Sequence, residues 1–193
     1  MQQAVERWKV PWYCFRLSDV SFDTRTLMGN AADTVMLVLW ASQLAGVAVT
    51  ESTVDLQCIP VDFAARAMVA VARERRLGGR VFHLTGAGPV FGAWLEALAR
   101  AGDLARVAPS QWVARVQQRL SLPDTPQLLT RAAPLLQQVQ FLSPASPLTA
   151  IPTERTRAAL QALLPDHPWP PAPALTPPDV LALLANTYAH LLQ

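Results

Sequence analysis

The segment 34–49 constrains the fold most, because it is almost wholly apolar and carries no charge. Ser42 and Gln43 are the polar residues in its middle. A helix that is apolar on nearly all sides has to be buried. The segment is shorter than the roughly 18–20 residues that cross a bilayer. We therefore predict a buried helix over 31–45 that ends at Gly46.

Periodicity and turn residues predict a mixed α/β chain that is mostly helical, with two or three strands and six or seven helices. Apolar runs predict buried strands at 10–17 and 80–85, and a short strand or extended segment at 54–61. The other predicted helices are the end of one within 1–9, and those at 62–76, 89–102, 110 onward, 125–140 (kinked or broken at Pro134), 153–164 and 177–192.

Side chains that accept hydrogen bonds from free amides mark the predicted helix starts. Asn30 is predicted to cap the buried helix, with Asp33 three residues later in a pattern like a capping box. The other predicted caps are Asp62, Ser110 and Thr176, the last with Pro177 and Asp179 behind it.

Prolines stiffen the segment 167–178, which separates the last two predicted helices. We predict that it is a connector that lays the last helix onto the body. The alternative is a ligand for a polyproline-binding groove. A pair of strands is marginal without cover. The edge of the predicted strands must therefore be paired, covered by this proline-rich tail, or closed by dimerisation.

Composition argues against several classes of function. Apolar residues make up 51% of the chain and charged residues 16%, which indicates a large core or an apolar surface for a partner. The net charge is +2, with Lys9 the sole lysine and scattered arginines, unlike the clustered basic surface of a nucleic-acid binder. With no apolar signal core and no membrane span, we expect a cytoplasmic protein.

Residues of the types that carry catalysis or bind metals do not form a recognisable pattern. Cys14 and Cys58 stand in apolar, strand-like runs, so we predict buried free thiols and no zinc site. His83 lies within a predicted strand and is expected to be a satisfied core residue. No serine occupies a G-x-S-x-G turn. Asp19 and Asp23 flank a loop, and no acid–base pair stands out.

A glycine turn at 86–92 follows a predicted strand and opens a helix, as a dinucleotide-binding turn does. Its spacing differs, because Phe91 stands where the third glycine belongs. Pro89 also removes one amide donor from the turn. We do not expect dinucleotide binding at this turn.

Several segments, in their order and spacing, resemble the thioester reductase domains that end nonribosomal peptide and polyketide synthases, and carboxylic acid reductases. These domains are extended short-chain dehydrogenases. The four segments are ERWKVPWYCFRLSDVSFDTRTLMGNAADTV (6–35), CIPVDFAARAMVAVA (58–72), RVFHLTGAGPV (80–90) and LARVAPSQWVARV (104–116). The resemblance implies a single domain over 1–193. It divides into a reductase-like lobe at 1–120 and a helical, proline-rich part at 121–193.

The resemblance also implies what the chain lacks. Family members bind NADPH through a glycine-rich turn and move a proton with a Tyr-x-x-x-Lys pair. Here Leu17 stands four residues after Tyr13, and Leu192 stands four residues after Tyr188. We therefore expect the nucleotide-binding half to lie upstream of Met1. The isolated chain is expected to have no catalytic residue and no redox cofactor.

Within this lobe, the family implies a remnant of a Rossmann-type parallel sheet and the wall of an acyl pocket. The motif Arg16-Leu17-Ser18 departs from the family's Arg-Pro-Gly. Arg16 and Ser18 are candidate NADPH contacts only if a nucleotide-binding half is supplied. The candidate substrate-binding residues are Met28, Asn30, Asp33, Met36 and Trp40, although Trp40 and Leu44 also suit ordinary core.

Three functions remain open at this point. The chain is the substrate-binding lobe of a thioester reductase that works with a missing Rossmann half on acyl or peptidyl groups held by carrier proteins. Alternatively, it is a redox-inert release or cyclisation enzyme with an acyl pocket. A third alternative is a non-catalytic docking module for carrier proteins. Because carrier proteins of this family are usually acidic, the candidate partner-binding residues are Arg73, Arg75 and Arg76, unless these cations only offset a helix dipole. A homodimer is a further expectation.

Overall fold

The structure is a computed structural model that describes Arg7 and residues 11–50, 57–86, 91–136, 152–170 and 173–189. Within these ranges it contains seven α-helices and three two-stranded parallel sheets. The helices are α1 (Thr34–Ala45), α2 (Val61–Arg73), α3 (Phe91–Gly102), α4 (Pro109–Leu120), α5 (Gln127–Leu136), α6 (Glu154–Leu163) and α7 (Pro177–Tyr188). The strands are β1 (Tyr13–Leu17), β2 (Asp19–Val20), β3 (Val47–Val49), β4 (Cys58–Ile59), β5 (Arg80–Leu84) and β6 (Ala105–Val107).

The predicted α/β class, mostly helical, is confirmed. The strand pairs are β1 with β5, β2 with β4, and β3 with β6. The strands predicted at 10–17 and 80–85 are β1 and β5. The strands β2, β3 and β6 were not predicted, because two or three residues are too few to show a period of two. The helix end predicted within 1–9 lies outside the described residues, apart from Arg7.

Helix α1 is the centre of the larger core, as its apolar sequence predicts. Its residues 36–42 are all buried. Trp40 stacks on Tyr188 of α7, with ring centroids 3.8 Å apart. The polar Ser42 is satisfied, because its hydroxyl accepts a 2.9 Å hydrogen bond from the indole N–H of Trp112. Each large apolar side chain buried in this way contributes about 1.5–3 kcal/mol. None of the helices in the described ranges is both long enough and apolar enough to cross a membrane.

A smaller core joins α2 and α6 to the β1–β5 sheet. Phe63, Ala67 and Val71 on one side of α2 are buried there. Phe15 of β1 stacks on Phe82 of β5 with ring centroids 5.6 Å apart. This core covers one face of the two-stranded sheet.

The predicted cap of α1 is wrong by three residues. Asp33 is the N-cap, since its Oδ1 accepts hydrogen bonds from the N–H groups of Val35 (2.9 Å) and Met36 (3.4 Å). The Oδ1 of Asn30 instead accepts from the N–H of Ala32 in the turn before the helix. The predicted end of α1 is confirmed, because Gly46 adopts a left-handed φ of 67°.

Two further cap predictions are wrong. Asp62 lies inside the first turn of α2, and its carboxylate accepts from the backbone N–H and the hydroxyl of Thr24 and from Arg66. Ser110 also lies inside its helix, because α4 begins at Pro109. The cap of α7 is confirmed, since the Asp179 carboxylate accepts from both the backbone N–H and the hydroxyl of Thr176.

The proline-rich connector packs onto the body through its aromatic and carbonyl groups. Trp169 lies edge-on to Phe63, with ring centroids 5.6 Å apart, and below the guanidinium of Arg157 at 4.9 Å. The indole N–H of Trp94 donates a 2.8 Å hydrogen bond to the carbonyl of Pro173. These contacts support the prediction of a connector that lays α7 onto the core.

Just after β5, the backbone at Gly86 comes very close to the backbone of β4. A Cβ placed on Gly86 would lie 1.6 Å from the carbonyl oxygen of Cys58 in β4. Glycine is required here so that the two backbones can approach each other. The glycine that sequence analysis considered as a nucleotide-binding position thus has a packing role.

We predict that Gly86→Ala destabilises the chain more than Gly46→Ala. At Gly46 a new Cβ meets nothing within 4 Å, so the cost is the left-handed backbone alone, about 1–2 kcal/mol. At Gly86 the new Cβ would meet a backbone carbonyl that cannot turn aside as a side chain can, so we expect a cost of about 3 kcal/mol or more. Urea denaturation of both variants measures the difference. Equal losses of stability in the two variants would contradict the packing role.

Candidate functional site

A narrow, open cleft lies where β1 leads into β2, beside the first turn of α1. The volume that a water molecule can occupy in it is about 10 Å³, which is room for about one water. In open sheets of parallel strands, ligands commonly bind outside the carboxyl ends of the strands, which is where this cleft lies. Its polar side chains include Asp19, Asn30 and Asp33, and its apolar side chains are Val20, Phe22, Val35, Met36 and Trp94.

The structure brings together three of the five predicted substrate-binding residues. Asn30, Asp33 and Met36 all line the cleft. Met28 is 53% exposed and does not line it. Trp40 is buried and stacks on the ring of Tyr188 in α7. It therefore belongs to the core, which was the alternative interpretation of this residue.

Two carboxylates make the cleft acidic. Asp19 keeps an exposed surface, but partial desolvation raises its pKa above the ordinary value, and the nearby charge of Asp33 raises the pKa further. Burial, together with both carboxylates, raises the pKa of the Cys58 thiol to about 12. Because a thiolate is the reactive form of cysteine, Cys58 is an inert part of the wall. It is buried in β4 as predicted, whereas Cys14 is only half-buried in β1.

Sequence analysis missed Asp19, Phe22, Cys58 and Trp94 as members of the cleft. Asp19 stood two residues after the end of β1, and an acid at the carboxyl end of a parallel strand was the available signal. Cys58 and Trp94 give no local signal, because β4 and α3 bring them to the cleft from distant parts of the sequence, and Phe22, just after β2, has no feature that separates it from an ordinary core residue.

The candidate cofactor residues lie near the same end of β1. The N–H of Ser18 donates to the carbonyl of Leu84, and its hydroxyl accepts a 3.2 Å hydrogen bond from the N–H of Gly86. The amide of Gly86 is therefore already engaged and does not fit a phosphate. Arg16 is exposed on β1. Residues 87–90 of the glycine turn at 86–92 lie outside the described residues, so the prediction that this turn does not bind a dinucleotide stays a prediction.

The three candidate partner-binding arginines lie at the other end of β1. Arg73 ends α2, and Arg75 and Arg76 begin the short 3₁₀ helix Arg75–Leu77. Arg76 forms a 3.1 Å ion pair with Glu74, and its hydrogen bond lowers the pKa of Glu74. The hydroxyl of Tyr13 donates to the Glu74 carbonyl, which fixes this cluster near the amino end of β1.

His83 differs from its prediction as a satisfied core residue. Its side chain is half-buried, and its Nδ1 is buried without a hydrogen-bond partner among the described residues. The backbone N–H of His83 donates to the hydroxyl of Thr156 on α6. Within the described ranges, no group of three or more His, Cys, Asp or Glu residues is arranged to hold a metal ion.

Comparison by sequence finds no family model and no curated protein that matches the chain. Comparison of structures finds reductase domains. The reductase domain of a nonribosomal peptide synthetase from Mycobacterium tuberculosis superposes with a TM-score of 0.74 at 22% identity, over 99% of this chain and 48% of that one. The terminal R domain from the myxalamid PKS-NRPS biosynthetic pathway gives 0.68 at 19% identity, over 98% of this chain and 46% of that one.

The fold is therefore that of about half of such a reductase domain. A second structure of the Mycobacterium tuberculosis domain agrees, with a TM-score of 0.70 at 23% identity, over 96% of this chain and 47% of that one. The likeness extends past the first 120 residues, where the sequence motifs lay, to the closing helices. The chain spans about half the length of the domains that it matches.

We predict that Asp19→Asn raises stability at neutral pH and changes it little in acid. A carboxyl whose pKa is raised in the folded protein destabilises the fold once it ionises. The gain from the amide is therefore absent below the ordinary Asp pKa of 3.8 and grows as the pH rises through the higher pKa of the folded state. Thermal unfolding of both proteins across pH 3–7 measures this difference. A gain that is equal at every pH would contradict a raised pKa of Asp19 beside Asp33.

Proposed function

We propose that the chain is the substrate-binding lobe of a thioester reductase that acts on acyl or peptidyl thioesters held by carrier proteins. The observation that carries the proposal is the structural match to reductase domains of nonribosomal peptide and polyketide assembly lines along nearly the whole chain. The match covers about half of each domain, so the nicotinamide chemistry is assigned to a second, nucleotide-binding half. NADPH is the cofactor of the assembled enzyme in this proposal.

The cleft has the mixed chemistry that such a substrate needs. The arm that carries a thioester in these systems contains amides, whose N–H groups suit the carboxylates of Asp19 and Asp33. Phe22, Met36 and Trp94 offer apolar surface to the acyl chain. Methionine is flexible enough to move aside as the chain enters.

Neither tyrosine of the chain suits the role of proton donor. Tyr188 is buried against Trp40, and its hydroxyl donates to the carbonyl of Ala31. Burial raises its pKa, and the nearby Asp33 raises it further, so its proton is held more firmly. Tyr13 donates to the carbonyl of Glu74 at the opposite end of β1. In this proposal the chain itself binds and orients the thioester.

We predict that the chain alone binds a medium-chain acyl thioester of pantetheine at this cleft, which has room for about one water and has to widen as the Met36 side chain moves aside. Asn30→Trp should abolish binding, because Asn30 is exposed at the cleft and a large ring there fills the entrance. Ala32→Trp is the matched control, since Ala32 is exposed in the same turn but does not line the cleft. Nuclear magnetic resonance titration of the three proteins measures binding through the amide signals of Gly29 and Asp33.

The results separate the proposal from the other two functions. The proposal is supported if the Asn30→Trp variant loses binding and the Ala32→Trp variant keeps it. If the thioester is hydrolysed or cyclised without nicotinamide, the chain is a release enzyme instead. If the thioester does not bind but a carrier protein does, and a triple change of Arg73, Arg75 and Arg76 to Glu abolishes that binding, the chain is a docking module.

A further inference from the structure

The two carboxylates of the cleft have no cation to offset them. Among the described residues, neither Asp19 nor Asp33 forms an ion pair. The described side chains that line the cleft include no lysine, arginine or histidine. Arg25 follows in the next loop, but it pairs with Asp23 instead. The raised pKa of Asp19 agrees with this, since a nearby cation would lower that pKa.

A third oxygen acceptor belongs to the same cleft. Ser21 lines the cleft, and the Oγ of Ser21 is buried without a hydrogen-bond partner among the described residues. The N–H of Ser21 donates to the carbonyl of Ile59, which continues the ladder of β2 with β4. Because side chains alternate along a strand, Ser21 and Asp19 share one face. A buried hydroxyl without a partner costs free energy, so it indicates that a ligand supplies the missing hydrogen bond.

The size of the cleft limits which donor can serve these oxygens. The cleft has room for about one water, and a primary ammonium group is about as large as a water molecule. Such a group has three N–H donors, which match in number the carboxylates of Asp19 and Asp33 and the Oγ of Ser21. An amide N–H of the thioester arm offers one donor and no charge, so it would leave the carboxylates uncompensated. The rings of Phe22 and Trp94, which also line the cleft, can stabilise a cation that lies over their faces.

We propose that the acyl group of the thioester carries a protonated primary amine, which binds between Asp19, Asp33 and the Oγ of Ser21. This inference rests on the proposed function and names the substrate class of that cleft. The substrates are aminoacyl or other amine-bearing thioesters, and plain fatty acyl thioesters bind more weakly. The ammonium group attracts both carboxylates, which otherwise repel each other.

The test compares two pairs of pantetheine thioesters whose members differ in charge and match in shape. Alanyl is paired with isobutyryl, and ω-aminohexanoyl with heptanoyl, since a methyl group replaces the ammonium group in each pair. Nuclear magnetic resonance titration of the full chain follows the amide signals of Gly29 and Asp33. We expect the ammonium member of at least one pair to bind about fivefold more tightly, which is the upper range for an exposed ion pair.

Two variants locate the preference. Asp19→Asn and Asp33→Asn should each remove most of it, because the amide keeps the shape of the side chain and removes its charge. Asparagine also keeps the cap of α1. Asp103→Asn is the matched control, since Asp103 is exposed, does not line the cleft and has a φ of 49° that suits asparagine. Unfolding midpoints of the three variants exclude a general loss of folding.

The outcomes separate this inference from the proposed function. Equal binding within both pairs would overturn the inference and leave the function intact, because the thioesters still bind. Failure of all four thioesters to bind would contradict both. A preference that survives in Asp19→Asn and Asp33→Asn, or that Asp103→Asn removes equally, would place the ammonium group elsewhere. If ammonium chloride at the same concentration shifts these amide signals as much as the amine thioesters do, the cleft is a site for free cations and the inference fails.

Discussion

The burial of α1 is the constraint on which the rest of the structure depends. This helix has no polar face to offer to water, so other elements have to surround it. It is contacted directly by α3, α4, α5, α7 and β3. Of its polar side chains, Ser42 accepts a hydrogen bond from Trp112, whereas the Oε1 of Gln43 is buried without a partner among the described residues. Helix α7 packs onto α1 through the stacking of Tyr188 on Trp40. The proline-rich connector before α7 is itself attached to the body, by the hydrogen bond from Trp94 to Pro173.

The start of the same helix forms one wall of the cleft. Asp33 has two tasks, because it caps α1 through the N–H groups of Val35 and Met36 and also lines the cleft, where its charge raises the pKa of Asp19. The stability of the helix and the charge of the cleft are therefore linked at one residue.

The sequence was sufficient for the elements with a long, clear pattern and insufficient for those defined by distant contacts. The continuous apolar run of α1 and the Thr176–Asp179 pair gave correct helices. The short strands β2 and β6 were missed because their pairing, not their side-chain period, defines them. In the cleft, Asn30, Asp33 and Met36 are close in sequence and were found, whereas Cys58 and Trp94 come from other elements and were not. Asp62 was misread as a cap because the sequence does not show that Thr24 approaches it.

The most direct test of the account is a calorimetric titration of the purified chain with NADPH. The account assigns nucleotide binding to a separate half, and the one turn that resembles a nucleotide site begins at Gly86, whose amide is already bonded to Ser18. It therefore predicts no binding of NADPH to this chain alone. Binding at micromolar strength would contradict it, because the chain would then hold a nucleotide site of its own and act as an independent oxidoreductase.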